Sequence, residues 1–333
     1  MSRDIAFAVL GAGRIGALHA DNLARAISGA RLAAVMDADL ERAQAVAGPG
    51  YATDSLDRIM ADGEIDAVLI ASPTAAHAPQ MIAAARAGKA IFCEKPVSLD
   101  LARAIEAVDA VRTANVPFQI GFQRRYDHGF EAARQHLDEG AIGRLEMFRA
   151  LTCDPEPAPF AYLATSGGIY ADMAIHDIDI ARFYGGDIVE VTAMGEALIV
   201  PELQTVSDVD TSILTFRYAS GAIGVIQNSR RATYGYEIRT ELMGAEGKLV
   251  IEEERATPIR LYNRTGIHGD FHGWFIKRFR DAYRAEVEAF VSAVREGRPA
   301  SPGLDDALAS LRVALAATRS LKERRSVRVE EVG

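Results

Sequence analysis

Six apolar residues, Ile5-Ala-Phe-Ala-Val-Leu10, run straight into Gly11-Ala-Gly13-Arg14-Ile15-Gly16 and then into a helix-forming stretch to about Ala26. No other feature of the chain restricts its fold as much. The glycines of a G-x-G-x-x-G do different things. Gly11 allows a tight turn, Gly13 lets the backbone approach a pyrophosphate, and Gly16 lets the helix pack on the strand. The helix N-terminus then offers free N–H groups and a positive dipole end to phosphates. The motif alone is weak, but a strand before it and a helix after it are the context it requires. A second strand, Leu32–Met36, ends in Asp37, about 20 residues further on, where a carboxylate accepts the ribose hydroxyls of NAD. Facing the 2′-phosphate of NADP, it would repel by about 4 kcal/mol at contact range and an effective dielectric of 20. NAD is therefore the expected cofactor, although Arg42 could soften the preference by reaching a phosphate.

The alternation continues. Strands are expected at Ala67–Ala71, Ala90–Cys93 and Val116–Gly121, with helices over Met81–Ala87 and Leu99–Thr113. Strands alternating with helices of this length predict a parallel, doubly wound sheet. Ligands of such sheets bind outside the carboxyl ends of the strands. Ser72-Pro73-Thr74, Glu94-Lys95-Pro96 and Gly121–Arg125 all follow strand ends and should rim that crevice. His77 stands near the same rim at a helix start, where a histidine is more often structural. Lys95, pinned by Pro96 directly after a core strand, reads as functional: an ammonium there can stabilise an alkoxide that develops as hydride leaves.

After Asp127 the pattern changes to a helix over Gly129–Glu139, a strand at Leu145–Thr152, a Pro-rich loop and a run of period-2 segments: Glu190–Val200, Thr211–Arg217, Ala222–Arg230, Tyr236–Met243, Lys248–Glu252 and Ile259–Tyr262. Runs of strands after a βα alternation predict a separate α+β domain with an open, mainly antiparallel sheet. Domain boundaries are placed at 1–123 and 124–333, with the last helices, Phe275–Arg295 and Leu304–Glu323, packing back on the first domain. Between the loop and the sheet, Gly167–Tyr184 reads as one amphipathic helix. On it Asp172 and His176 sit four apart, so their Cβ atoms would be about 5–6 Å from each other. A carboxylate that close fixes an imidazole's tautomer and raises its basicity, as a general base requires. Taken alone, the pair reads more readily as a helix-surface contact, and the rest of the chain shifts the balance.

Composition excludes several classes. A net charge of −9 with no basic run argues against nucleic acid, and no apolar run is long enough to span a membrane. The chain passes from Met-Ser-Arg-Asp straight into a strand with no secretory or transit pattern, and Cys93 and Cys153 form no C-x-x-C, so a reducing cytoplasm is expected. His268 and His272 lie on a loop without convergent partners, and no metal is expected.

Across essentially its whole length the sequence resembles the Gfo/Idh/MocA oxidoreductases and, within them, the bacterial inositol 2-dehydrogenases. The resemblance rests on G-A-G-R-I-G at 11–16, C-E-K-P at 93–96, G-F-Q-R-R-Y-D at 121–127, D-M-A-I-H-D-I-D at 172–179 and N-S-R-R-A-T-Y-G-Y-E at 228–237. It implies a Rossmann domain for NAD, with Gly11, Gly13, Arg14, Ile15, Gly16, Asp37, Ser72, Pro73, Thr74, His77, Glu94, Lys95 and Gln123 as cofactor contacts. It implies Lys95, Asp172 and His176 as the catalytic set. A polyol pocket would add Arg125, Asp154, Tyr234, Tyr236 and Tyr283. The implied reaction is NAD-dependent oxidation of myo-inositol to 2-keto-myo-inositol, and the implied assembly a homotetramer paired through the C-terminal sheet. Gln123 replaces an expected asparagine, Cys153 stands where arginine or asparagine is usual, and Ala171 replaces a frequent arginine. These departures leave the preferred polyol open, scyllo-inositol or an aldose being alternatives. An NAD-dependent glycosidase or a non-catalytic NAD sensor are more distant readings.

Overall fold

Six parallel strands carry the first of two units in the computed structural model, which describes residues 3–252 and 254–333. Met1 and Ser2, part of the segment on which the expectation of no secretory or transit pattern rests, lie outside the described residues. The strands are β1 (Ile5–Leu10), β2 (Ala30–Met36), β3 (Tyr51–Thr53), β4 (Ala67–Ile70), β5 (Ala90–Glu94) and β6 (Phe118–Gly121), in the order β3-β2-β1-β4-β5-β6. Every residue of β1 is buried, which requires cover on both faces of the sheet and explains why the strand reads as an unbroken apolar run. Three of the crossover helices, Leu40–Ala47, Leu56–Ala61 and Leu101–Ala114, begin on Asp39, Ser55 and Asp100, whose side chains accept N–H groups of the first turn. The strand order reverses between β1 and β4, placing the Gly11–Gly16 turn and the Ser72–Thr74 turn at the switch point.

The first unit also takes in Asp281–Leu308. Val287, Phe290 and Val291 of the helix Arg280–Glu296 join Phe7, Val9, Leu69 and Phe92 in its core. Phe290 meets both Phe7 and Phe92 edge-on, at 6.2 and 5.9 Å. Truncating such a ring costs about 3–5 kcal/mol.

The second unit, Arg124–Arg280 with Ala309–Gly333, is built on a seven-stranded sheet. Its strands are β7 (Leu145–Cys153), β8 (Ile188–Glu196), β9 (Thr211–Tyr218), β10 (Ile223–Ser229), β11 (Glu237–Gly244), β12 (Gly247–Ile251) and β15 (Val327–Arg328). They lie in the order β12-β11-β7-β10-β9-β8-β15, and a separate hairpin pairs β13 (Leu261–Asn263) with β14 (Gly266–His268). Only β7 and β10 run parallel; the other neighbours are antiparallel. Alternation is strict in β9, where Ser212, Leu214, Phe216 and Tyr218 point inward. The helix Ile175–Gly185 covers that inner face: Tyr218 donates to the Ala181 carbonyl at 3.0 Å, and Gly185 sits where a Cβ would strike the Tyr218 ring. The outer face keeps Met147, Met194, Ile213, Ile223, Met243 and Val250 exposed.

Candidate functional site

The three glycines after β1 are there for different reasons. A Cβ on Gly16 would lie 1.9 Å from the Gly11 carbonyl oxygen, and one on Gly11, at φ +101°, would lie 2.6 Å from the backbone of Ala71 and Ser72. Both are demanded by the packing of the turn. A Cβ on Gly13 would meet nothing within 4 Å. The space is open above the N-terminus of the helix Arg14–Arg25, where a phosphate would sit. Asp37 follows β2; its Oδ2 accepts the Ala12 N–H at 2.7 Å and its Oδ1 the Asp39 N–H at 3.0 Å. Those bonds aim the carboxylate and leave lone pairs for ribose hydroxyls. Arg42 lies 3.9 Å from Asp37 and closer, at 3.2 Å, to Asp39. These residues fit a bound dinucleotide.

Around this end of the sheet, Ser72 donates to Gln80 at 2.7 Å, and the ring nitrogens of buried His77 lie 2.8 Å from the carbonyls of Ser72 and Pro96. His77 thereby ties the turn after β4 to the Glu94-Lys95-Pro96 turn after β5. Burial holds its pKa below the ordinary histidine value, against the opposing pull of the two carbonyls. Lys95 is half-buried at the end of β5, and Gln123 is buried just after β6.

Beneath the turns lies a cluster that the motifs do not announce. His19 Nε2 is 2.8 Å from Glu94 Oε1, and fully buried Glu286 approaches both. Burial, and then the charge of Glu94, push the Glu286 carboxyl well above its ordinary range. Tyr283, one turn earlier on the same helix, is buried with its ring 5.8 Å from that of His19. The signal for Glu286 was present: it occupies the apolar stripe Ala282, Tyr283, Glu286, Val287, Phe290 of an amphipathic helix.

In the second unit the predicted single helix over 167–184 is two. Gly168–Asp172 and Ile175–Gly185 are separated at Met173–Ala174. The reason is local. Gly167 and Gly168 enter at positive φ, Asp208 accepts the Ile169 N–H, and the N–H groups of both Met173 and Ala174 turn back to the Ile169 carbonyl. That turn holds one residue too many for an α-helix. Asp172 therefore ends one helix and His176 stands in the first turn of the next, rather than one turn apart on a common face.

Asp172 accepts from the Tyr162 hydroxyl at 2.8 Å and from Arg230 Nη1 at 3.1 Å. Beyond His176, the two acids of D-I-D answer the two arginines of R-R-Y-D. Asp177, fully buried, accepts from Arg124, from Thr152 at 2.8 Å and from Asn228 at 3.0 Å. Arg125 closes its fork on Asp179 with bonds of 2.8 and 2.6 Å and lies over the Phe183 ring at 5.0 Å. Asp154 follows β7, and its charge helps to raise the phenol pKa of Tyr236, which burial pushes up most. Tyr234 is half exposed and donates to Glu237. Thus Arg125, Asp154, Asp172, His176, Tyr234 and Tyr236 fall in the second unit, and Tyr283 falls in the first with Lys95. In a second cluster that could ligate a metal, Asp127, His128 and Glu254, both carboxylates are engaged by Arg278, at 2.6 and 3.0 Å.

Comparison with known proteins gives concordant results. A family of oxidoreductases with an NAD-binding Rossmann fold matches residues 5–122, and the GFO/IDH/MocA C-terminal domain matches residues 130–250. The chain is 39% identical to a protein named myo-inositol 2-dehydrogenase from Thermotoga maritima, across 97% of this chain and 98% of that one. It is 41% identical to a protein named inositol 2-dehydrogenase from Rhizobium meliloti, across 98% and 99%. A crystal structure of scyllo-inositol dehydrogenase from Lactobacillus casei, with bound NAD(H) and scyllo-inositol, matches with a TM-score of 0.93 at 31% identity, over 98% of this chain and all of that one.

Proposed function

Because this chain belongs to the Gfo/Idh/MocA family of NAD-binding oxidoreductases, we propose that it is an inositol 2-dehydrogenase that oxidises the secondary ring alcohol of myo-inositol to 2-keto-myo-inositol. The observation that carries this reading is the end-to-end similarity to two relatives named for inositol oxidation. The chemistry of the polar residues agrees with it. Gly11–Gly16 and Asp37 hold the dinucleotide, which when bound supplies the hydride acceptor. His176 takes the hydroxyl proton. Asp172 accepts from a neighbouring hydroxyl. Lys95 donates to the oxygen on which negative charge builds as the carbon-bound hydrogen departs. Arg125, Asp154, Tyr234, Tyr236 and Tyr283 complete the polyol contacts, and the exposed apolar outer face of the sheet pairs subunits into a homotetramer. The bound ligand of the Lactobacillus casei structure favours scyllo-inositol as the second reading.

NADH formation across inositol isomers and pyranoses at matched concentrations tests the substrate, myo-inositol being expected to give the highest kcat/KM. A positioned base contributes about 10²–10⁴ in rate, so His176→Ala should lower turnover at least a hundredfold with NAD affinity unchanged. Turnover that survives the change removes His176 from the role. Light scattering should give the mass of four chains, and a monomer would reject the sheet-mediated assembly.

A further inference from the structure

Arg230 lies just past β10 and is among the largest fully buried side chains of the molecule, 2% exposed. Its main chain is anchored, the N–H donating to the Asp210 carbonyl at 2.9 Å. Its guanidinium is not fully used. Nη1 reaches Asp172 Oδ2 at 3.1 Å, but Nε and Nη2 are buried and have no hydrogen-bond partner among the described residues. Arg125 in the same unit shows the alternative, a fork closed on one carboxylate through two nitrogens. A guanidinium does not shed its proton, and leaving its donors buried and unpaired carries the full desolvation penalty. An arginine held in this state is poised for an acceptor from outside the chain.

We propose that Arg230 recognises substrate jointly with Asp172, the two side chains reading adjacent hydroxyl groups of a neutral polyol. The inference rests on the reading of Asp172 as part of the polyol site and adds the partner that makes it selective. A carboxylate only accepts hydrogen bonds and a guanidinium only donates them. Side by side they match a vicinal diol in one orientation: one hydroxyl donates to Asp172, and the oxygen of the next accepts from the spare N–H groups of Arg230. Tyr162, donating to the other oxygen of Asp172, keeps that carboxylate from turning. A hydroxyl replaced by hydrogen would leave the guanidinium donors unpaired again, which is how a buried polar site rejects a deoxy analogue.

The test compares wild type, R230Q and R230K on myo-inositol and on its monodeoxy analogues, with kcat and KM determined separately and NAD affinity followed by fluorescence titration. A hydrogen bond from a charged donor is worth roughly a tenfold to hundredfold change in binding. In wild type, one deoxy analogue should show a KM raised by about that factor. R230Q should raise the KM for myo-inositol similarly, leave NAD affinity unchanged and erase the preference over that analogue, with R230K restoring part of it. A purely structural role would lower kcat while keeping the wild-type ratio between myo-inositol and the analogue, and that result overturns the proposal. So does a wild type indifferent to every single hydroxyl. If R230Q does not fold, R230K decides by the same ratio. A wild type that oxidises no inositol at all would instead refute the substrate reading above, a failure distinct from an unchanged ratio in an active enzyme.

Discussion

Glu286→Gln should make the protein more stable as pH rises. Glu286 is fully buried in the helix Arg280–Glu296, and the titratable groups facing it are His19 on the helix Arg14–Arg25 and Glu94 at the end of β5. Burial and then Glu94 raise its carboxyl well above the ordinary value. The sign follows from linkage. Above about pH 4.3, where an unfolded glutamate ionises, the folded chain keeps a proton that the unfolded chain has lost. Stability therefore falls with rising pH, by up to about 1.4 kcal/mol per unit, until the folded pKa is passed. A glutamine of the same shape carries no such titration, so the gap between variant and wild type should widen at that slope. At about 2 °C per kcal/mol for a chain of this size, this is about 3 °C per pH unit in Tm. Calorimetric scans of both proteins at matched ionic strength from pH 5 upward measure it. Parallel Tm curves for the two proteins would refute the reasoning, since Glu286 would then be ionised in the folded state with its charge compensated.

Two further outcomes follow from the geometry. Asp37→Ser removes the carboxylate that would repel a 2′-phosphate, and the ratio of kcat/KM for NADP to that for NAD should rise at least tenfold in steady-state assays. Asp177→Asn leaves the buried guanidinium of Arg124 without its anion, which should cost about 3–5 kcal/mol in denaturant unfolding; a cost under about 1 kcal/mol would mean that Arg124 finds another partner.

The first unit was open to reading because its signals are short-range. The strand Ile5–Leu10 is found where its apolar run and the following glycine place it, and Asp37 follows β2 as the spacing requires. The helix after β4 is longer than expected, starting at Thr74 and carrying Pro79 inside it, with Ala78, Met81, Ala84 and Ala85 buried. The second unit's sheet was also legible from period-2 runs. What escaped was long-range. The break between Asp172 and His176 depends on Asp208, and Phe279 interrupts what reads as one helix over 275–295. No local pattern says that Asp177 will face Arg124, or that Arg230 will reach Asp172 across 58 positions of sequence. The residue types proposed for catalysis announce themselves in motifs, whereas the residues packed around them do not.

The unequal surroundings of the three glycines after β1 separate two kinds of damage. Crowding at Gly11 or Gly16 is felt by the polypeptide itself and would register in any measure of folding. Gly13 has no such witness within the chain. An inherited methyl group there would pass every check of solubility and melting, and reveal itself only when coenzyme arrived and found its place taken.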